Sequence, residues 1–159
     1  VLRLDWLPET ERARSEGFSI QKTVEPLTPG SVIAPGSRAV ITLRVKTPQD
    51  RTFVALEDPL PAGFEIVDPS FAVESREDAR LLEERSKDRP YWGSFHRSEG
   101  YDDRILIFAD YLTAGEHEYS YLVQATSPGR YRMPPARVEQ MYQPEVFATT
   151  EPGETVIGR

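Results

Sequence analysis

The sequence predicts an all-β domain, a two-sheet antiparallel β-sandwich carrying one short helix near residues 75–86. Three observations lead there. In most of its apolar stretches the apolar residues recur at every second position, the period of a strand with one buried face. The 14 prolines and 10 glycines fall throughout the chain, often as Pro-Gly or Asp-Pro pairs that end one strand and turn into the next. Strands do not alternate with long helical periods, so a parallel α/β sheet is disfavoured.

Taken in order, Leu2, Leu4 and Trp6 alternate, but residues 9–17 are mostly charged. Residues 1–17 are therefore read as an N-terminal arm or linker from a preceding domain, and residues 18–159 as the sandwich domain. Phe18, Ile20 and Val24 mark a first strand, and Ala39, Ile41, Leu43 and Val45 a second. Between them Pro29-Gly30 and Pro35-Gly36 set turns through proline's locked φ and glycine's freedom at positive φ. Residues 53–56 form a third strand, closed by Asp58-Pro59 and Pro61-Ala62-Gly63, and residues 64–67 alternate again. Residues 75–86 break the pattern: Ser75 suits an N-cap, Glu77 and Asp78 suit a first turn, and Ala79, Leu81 and Leu82 lie close to helical spacing. Strands follow at 91–97, 104–111 and 116–126, the last with His117, Tyr119, Tyr121, Val123 and Ala125 on one face. Thr113-Ala114-Gly115 joins two of these as a hairpin, and Pro128-Gly129 turns the chain into a strand at 131–133. Residues 138–142 and 146–149 complete the set.

Composition narrows the function. The 159-residue chain has a net charge of −7, a field that repels phosphate backbones and anionic lipid, so nucleic acid is not an expected partner. No apolar run reaches the roughly 20 residues of a membrane helix, so no membrane insertion by this chain is expected. With no cysteine, the chain has no disulfide, no thiolate metal ligand and no thioester of its own. It begins at Val1 rather than Met and is expected to be part of a longer polypeptide, with any targeting signal elsewhere.

Candidate chemistry is sparse. Asp102-Asp103-Arg104 could start a calcium loop, but the regularly spaced oxygen ligands are missing, and a turn with a local ion pair is the simpler reading. His96 and His117 lie on strand-like segments and read as sheet-face residues. Ser94, Ser98 and Ser127 sit in no nucleophile elbow, and no glycine-rich phosphate loop opens a helix. Tyr91, Trp92, Phe95, Tyr119, Tyr121, Tyr131 and Tyr142 could form a carbohydrate platform, but a sandwich core with tyrosine tips in solvent explains them more simply. No catalytic, metal or cofactor site is expected, and the chain is read as a non-enzyme.

Three stretches carry a family resemblance: residues 58–65 (Asp-Pro-Leu-Pro-Ala-Gly-Phe-Glu), Phe95-His96-Arg97 leading to Asp102-Asp103-Arg104, and residues 125–145, which end in Met141-Tyr142-Gln143-Pro144-Glu145. Read together across residues 17–149, they resemble the C-terminal macroglobulin domain of bacterial α2-macroglobulin-like protease inhibitors. The resemblance implies a macroglobulin or immunoglobulin-like sandwich within a large inhibitor of the bacterial envelope, periplasmic or extracellular, with any lipid anchor outside this chain. In such a molecule bait cleavage triggers a conformational trap for the attacking protease. The implied partners are the thioester domain and neighbouring macroglobulin domains of the same polypeptide, and target proteases through the whole inhibitor. Asp102, Asp103, Arg104, Met141, Tyr142 and Pro144 are the candidate interdomain contacts, with no cofactor implied. The alternative is an immunoglobulin-like stalk or adhesin module, because such modules use a similar Leu-Pro-Ala-Gly piece.

Overall fold

The computed structural model describes residues 12–67 and 95–158. These form strands β1 (Arg14–Glu16), β2 (Ser19–Pro26), β3 (Arg38–Thr47), β4 (Arg51–Pro59), β5 (Phe64–Ile66), β6 (Arg97–Gly100), β7 (Arg104–Leu112), β8 (Gly115–Ala125), β9 (Gly129–Met133), β10 (Arg137–Gln140), β11 (Gln143–Thr149) and β12 (Gly153–Ile157). One sheet has six strands in the order β1-β11-β10-β4-β7-β6, a second has four in the order β2-β3-β8-β5, and β12 and β9 form a two-stranded ribbon. The pairings between these strands are antiparallel. The expected two-sheet sandwich is therefore the architecture, with the ribbon added.

The period-two pattern is what joins the sheets. Val54 and Leu56 of β4, Ile105, Ile107 and Ala109 of β7, Val138 of β10 and Ala148 of β11 supply the six-stranded sheet's share of one continuous core. Ile20 of β2, Ala39, Ile41, Leu43 and Val45 of β3, Phe64 of β5, and Tyr121, Val123 and Ala125 of β8 supply the other. Burial of such alternating rows removes apolar area from water at roughly 25 cal/mol per Å², which drives the two sheets face to face. The ten-residue β3 is paired on both sides, with β2 and β8, and so holds the centre of its sheet. On its outer face Thr42 and Ser120 share a hydrogen bond of 2.9 Å, while Val40 joins Leu27 and Leu122 in a second small apolar cluster.

The helix at 75–86, and Tyr91, Trp92 and Ser94, lie outside the described residues. Of the strand expected at 91–97 the structure describes only residues 95–97, where Phe95 is buried and Arg97 opens β6. Part of the stretch read as a linker is the edge strand β1, whose Arg14, Ser15 and Glu16 pair with Thr149, Ala148 and Phe147. The ribbon strand β12 has no counterpart among the strands expected from sequence, because Gly153-Glu154-Thr155-Val156-Ile157 is too short to display a period.

Candidate interdomain surface

The six candidate contact residues fall at two separate places. Met141 and Tyr142 form the turn between β10 and β11, with Pro144 the second residue of β11. Asp102 and Asp103 form the turn between β6 and β7, and Arg104 opens β7 opposite Pro59. The Met141 amide donates to the Phe53 carbonyl at 2.8 Å, so the first group sits at the start of β4 and the second at its end. Six residues of extended chain separate them, about 20 Å at the usual rise per residue.

At the Met141–Tyr142 end the surface is apolar. Of the seven exposed large hydrophobic residues among the described residues, Phe53, Tyr111, Met141 and Tyr142 lie here; Tyr142 is 74% exposed. The Tyr142 ring meets Phe53 edge-on, with centroids 5.2 Å apart and planes at 84°. Phe53 carries φ of 52°, a left-handed conformation that costs a non-glycine residue roughly 1–2 kcal/mol. The strain turns Phe53 out of the β4 ladder, where Thr52 and Val54 pair with Tyr111 and Ala109. Beneath this corner Arg51 is buried over the Phe18 ring at 5.4 Å, and it donates to Gln140 Oε1 and the Gly17 carbonyl at 3.4 Å each. Its Nε has no hydrogen-bond partner.

The other end is ionic. Arg104 donates to Asp103 at 2.8 Å and to Glu57 at 2.5 Å; these two carboxylates raise the guanidinium pKa, and the Arg104 hydrogen bond holds the Asp103 carboxyl low. This is the turn-plus-ion-pair arrangement, and no group of acids and histidines among the described residues could hold a metal ion. His117 is buried, its Nε2 2.8 Å from the Thr113 carbonyl, and His96 meets Asp110 at 3.3 Å on the surface. Ser127 shares a hydrogen bond of 2.8 Å with the Tyr131 hydroxyl.

The aromatic residues mostly serve the core: Phe95 and Tyr121 are buried, and Tyr119 packs edge-on to Phe95 at 6.2 Å. A cleft of about 660 Å³ opens beside them, between β5 and the β6–β7 edge, lined by Ile66, Tyr101, Ile105 and Tyr119 among others.

Sequence reasoning missed the most unusual polar contact of the molecule. Lys22 of β2 and Asp58 of β4 face each other from opposite sheets, with side chains 1% and 0% exposed and Nζ 2.5 Å from Oδ1. Nζ also donates to the Pro59 carbonyl at 3.0 Å, and the Tyr121 hydroxyl donates to Asp58 Oδ2 at 2.6 Å. Burial pushes the Lys22 amine pKa down and the Asp58 carboxyl up, with their mutual attraction opposing both shifts. The Tyr121 phenol is pushed up by burial and by the neighbouring carboxyl. The signal was present in the strand phase: Lys22 shares its face with Ile20 and Val24, and Asp58 with Val54 and Leu56.

Residues 17–145 match the family model of the bacterial alpha-2-macroglobulin MG10 domain. The "Alpha-2-macroglobulin homolog" of Nostoc is 33% identical over 131 residues, covering 79% of this chain and 6% of that protein. "Circularly permutated Ras protein 2" of Dictyostelium discoideum is 32% identical over 125 residues, covering 79% of this chain and 3% of that protein. The native conformation of Escherichia coli alpha-2-macroglobulin superposes with a TM-score of 0.74 at 21% identity, over 97% of this chain and 10% of that one, a likeness of fold. The chain thus spans a small fraction of the length of the proteins it matches.

Proposed function

The chain belongs to the bacterial alpha-2-macroglobulin MG10 domain family, and from that premise we propose that it is the non-catalytic C-terminal domain of a broad-spectrum endopeptidase inhibitor. In this reading it docks on the thioester domain of the same polypeptide and supports the bait-triggered trap. With no cysteine, the chain leaves any thioester to another domain. The observation that carries the docking is the exposed corner of Phe53, Met141 and Tyr142, an apolar cluster braced by a strained backbone. Exposed apolar clusters of this kind mark contact surfaces, and backbone strain is retained where the surrounding structure holds a side chain for a purpose. Intrachain domain interfaces are modest in area, so a difference of a few kcal/mol between docked and released states suffices to switch them. The reading places the inhibitor in the periplasm or outside the cell, where it meets foreign proteases.

The test uses the full-length parent protein. Truncating a central aromatic at such a contact costs about 1–2 kcal/mol, so Tyr142→Ala should raise the released population roughly tenfold. Mixed with protease, the wild-type parent should shift on a native gel while small substrates remain cleaved. The variant should show premature release and weaker trapping. Unchanged trapping by a variant of unchanged stability would remove this corner from the interface.

A further inference from the structure

The Lys22–Asp58 contact has no part in the docking surface, and it holds an amine and a carboxyl in direct contact inside the sandwich. Both side chains are withdrawn from water, they come from opposite sheets, and Nζ lies at 2.5 Å from a carboxyl oxygen. We propose that Lys22 and Asp58 are joined by an amide bond between Nζ and Cγ, a covalent cross-link between the two sheets of the sandwich.

The surrounding groups suit the product better than they suit an ion pair. Among the described residues a Lys22 ammonium brings three N–H donors to two acceptors, Asp58 Oδ1 and the Pro59 carbonyl. The amide keeps a single N–H for Pro59 and a single carbonyl oxygen for the Tyr121 hydroxyl, now 2.6 Å from Asp58 Oδ2. The pair then leaves no charge of its own in the core, where an ion pair carries a desolvation penalty that its attraction need not repay.

The step balances without an oxidant or a cofactor. A proton passes from the ammonium to the carboxylate, giving amine and carboxylic acid. Burial favours both neutral forms by lowering the Lys22 pKa and raising that of Asp58. The Nζ lone pair attacks Cγ while the Tyr121 O–H holds the charge developing on Oδ2, the role of an oxyanion donor. Oδ1 then leaves as water, taking the carboxyl proton and one amine proton. The net change is ammonium plus carboxylate to amide plus water. Fixing the two groups in contact supplies the proximity that makes such a condensation unimolecular, and their burial, 1% and 0% exposed, keeps bulk water from the reverse reaction.

The intact mass of the denatured 159-residue chain tests this directly. The expected mass is lower than the sequence requires by one water, and tryptic digestion should release a branched peptide joining Lys22 to Asp58. Lys22→Arg, which keeps the cation but removes the nucleophilic amine, should restore the full mass. Tyr121→Phe should leave a fraction of the chains uncross-linked. A wild-type chain at its full sequence mass overturns the proposal, as does a water loss that persists in Lys22→Arg.

Discussion

Asp50 and Tyr111 show how one exposed pair can act on stability at both ends of the pH scale. The Tyr111 hydroxyl donates to Asp50 Oδ2, and the Ala114 amide donates to Oδ1 at 2.8 Å, tying the β3–β4 turn to the β7–β8 turn. The Tyr111 hydrogen bond, then the Ala114 amide, hold the Asp50 carboxyl below its ordinary value of 3.8. The same bond holds the Tyr111 phenol above 10.0. The unfolded chain therefore binds its proton first on the acid side, and stability present above pH 3.8 is lost as pH falls through the lower folded value. On the alkaline side the unfolded phenol loses its proton first, so stability present below pH 10.0 is lost as pH rises through the higher folded value. Asp50→Asn should make both limbs of a plot of urea midpoint against pH shallower, leaving on the acid side the slopes due to Glu99 and Asp103, whose carboxyls are also held low, and on the alkaline side those due to Tyr101 and Tyr121, whose phenols are also held high. Identical limbs in variant and wild type would show that the pair contributes nothing. Little of this was legible beforehand: Asp50 sits in a turn where acids are common, and its partner lies 61 residues away. Phe53 was equally opaque, since its identity suits a strand and only its observed φ reveals the strain.

At the scale of elements, legibility follows periodicity. The β2, β3, β7 and β8 strands alternate over eight or more residues, and each was placed within a few residues of its observed bounds. β1 has three exposed polar residues, so it presents no period and exists only because β11 offers it an edge. Its attachment depends on Gly17, which turns the chain from β1 into β2 with φ of +88°. A Cβ there would sit 2.8 Å from the Arg51 guanidinium and 3.0 Å from Val146, in a conformation that L-residues avoid. Gly17→Ala should therefore destabilise the domain by about 1–3 kcal/mol. Hydrogen exchange should show the loss concentrated in β1 and the facing edge of β11, where Arg14 and Arg137 both stack on Phe147 at 5.0 and 4.4 Å. Uniform protection across both sheets in the variant would mean that Gly17 is not the joint holding β1 in place.

For the whole molecule, the alternation of residues tells which face of a strand is buried but not which strand lies beside it. The sandwich class was readable for that reason, and the order β1-β11-β10-β4-β7-β6 was not. That order depends on partners remote in sequence: β1 pairs with β11, β4 with β10, and β3 with β8. The two candidate contact groups illustrate the same limit. Both belong to stretches that resemble one family, yet they occupy opposite ends of β4, a separation that only the pairing of β4 with β7 and β10 reveals. Remote pairing also has a kinetic consequence, because loop-closure entropy must be overcome before any of these ladders gains its hydrogen bonds. Domains dominated by such contacts refold in roughly milliseconds to seconds. Stopped-flow far-ultraviolet circular dichroism on the Lys22→Arg chain, which removes any cross-link from the starting state, should give rates in that range. The wild-type chain should refold faster if Lys22 and Asp58 stay joined on denaturation, since that loop is then already closed. Microsecond refolding of Lys22→Arg would mean that local contacts, rather than the pairing of distant strands, carry the rate-limiting step.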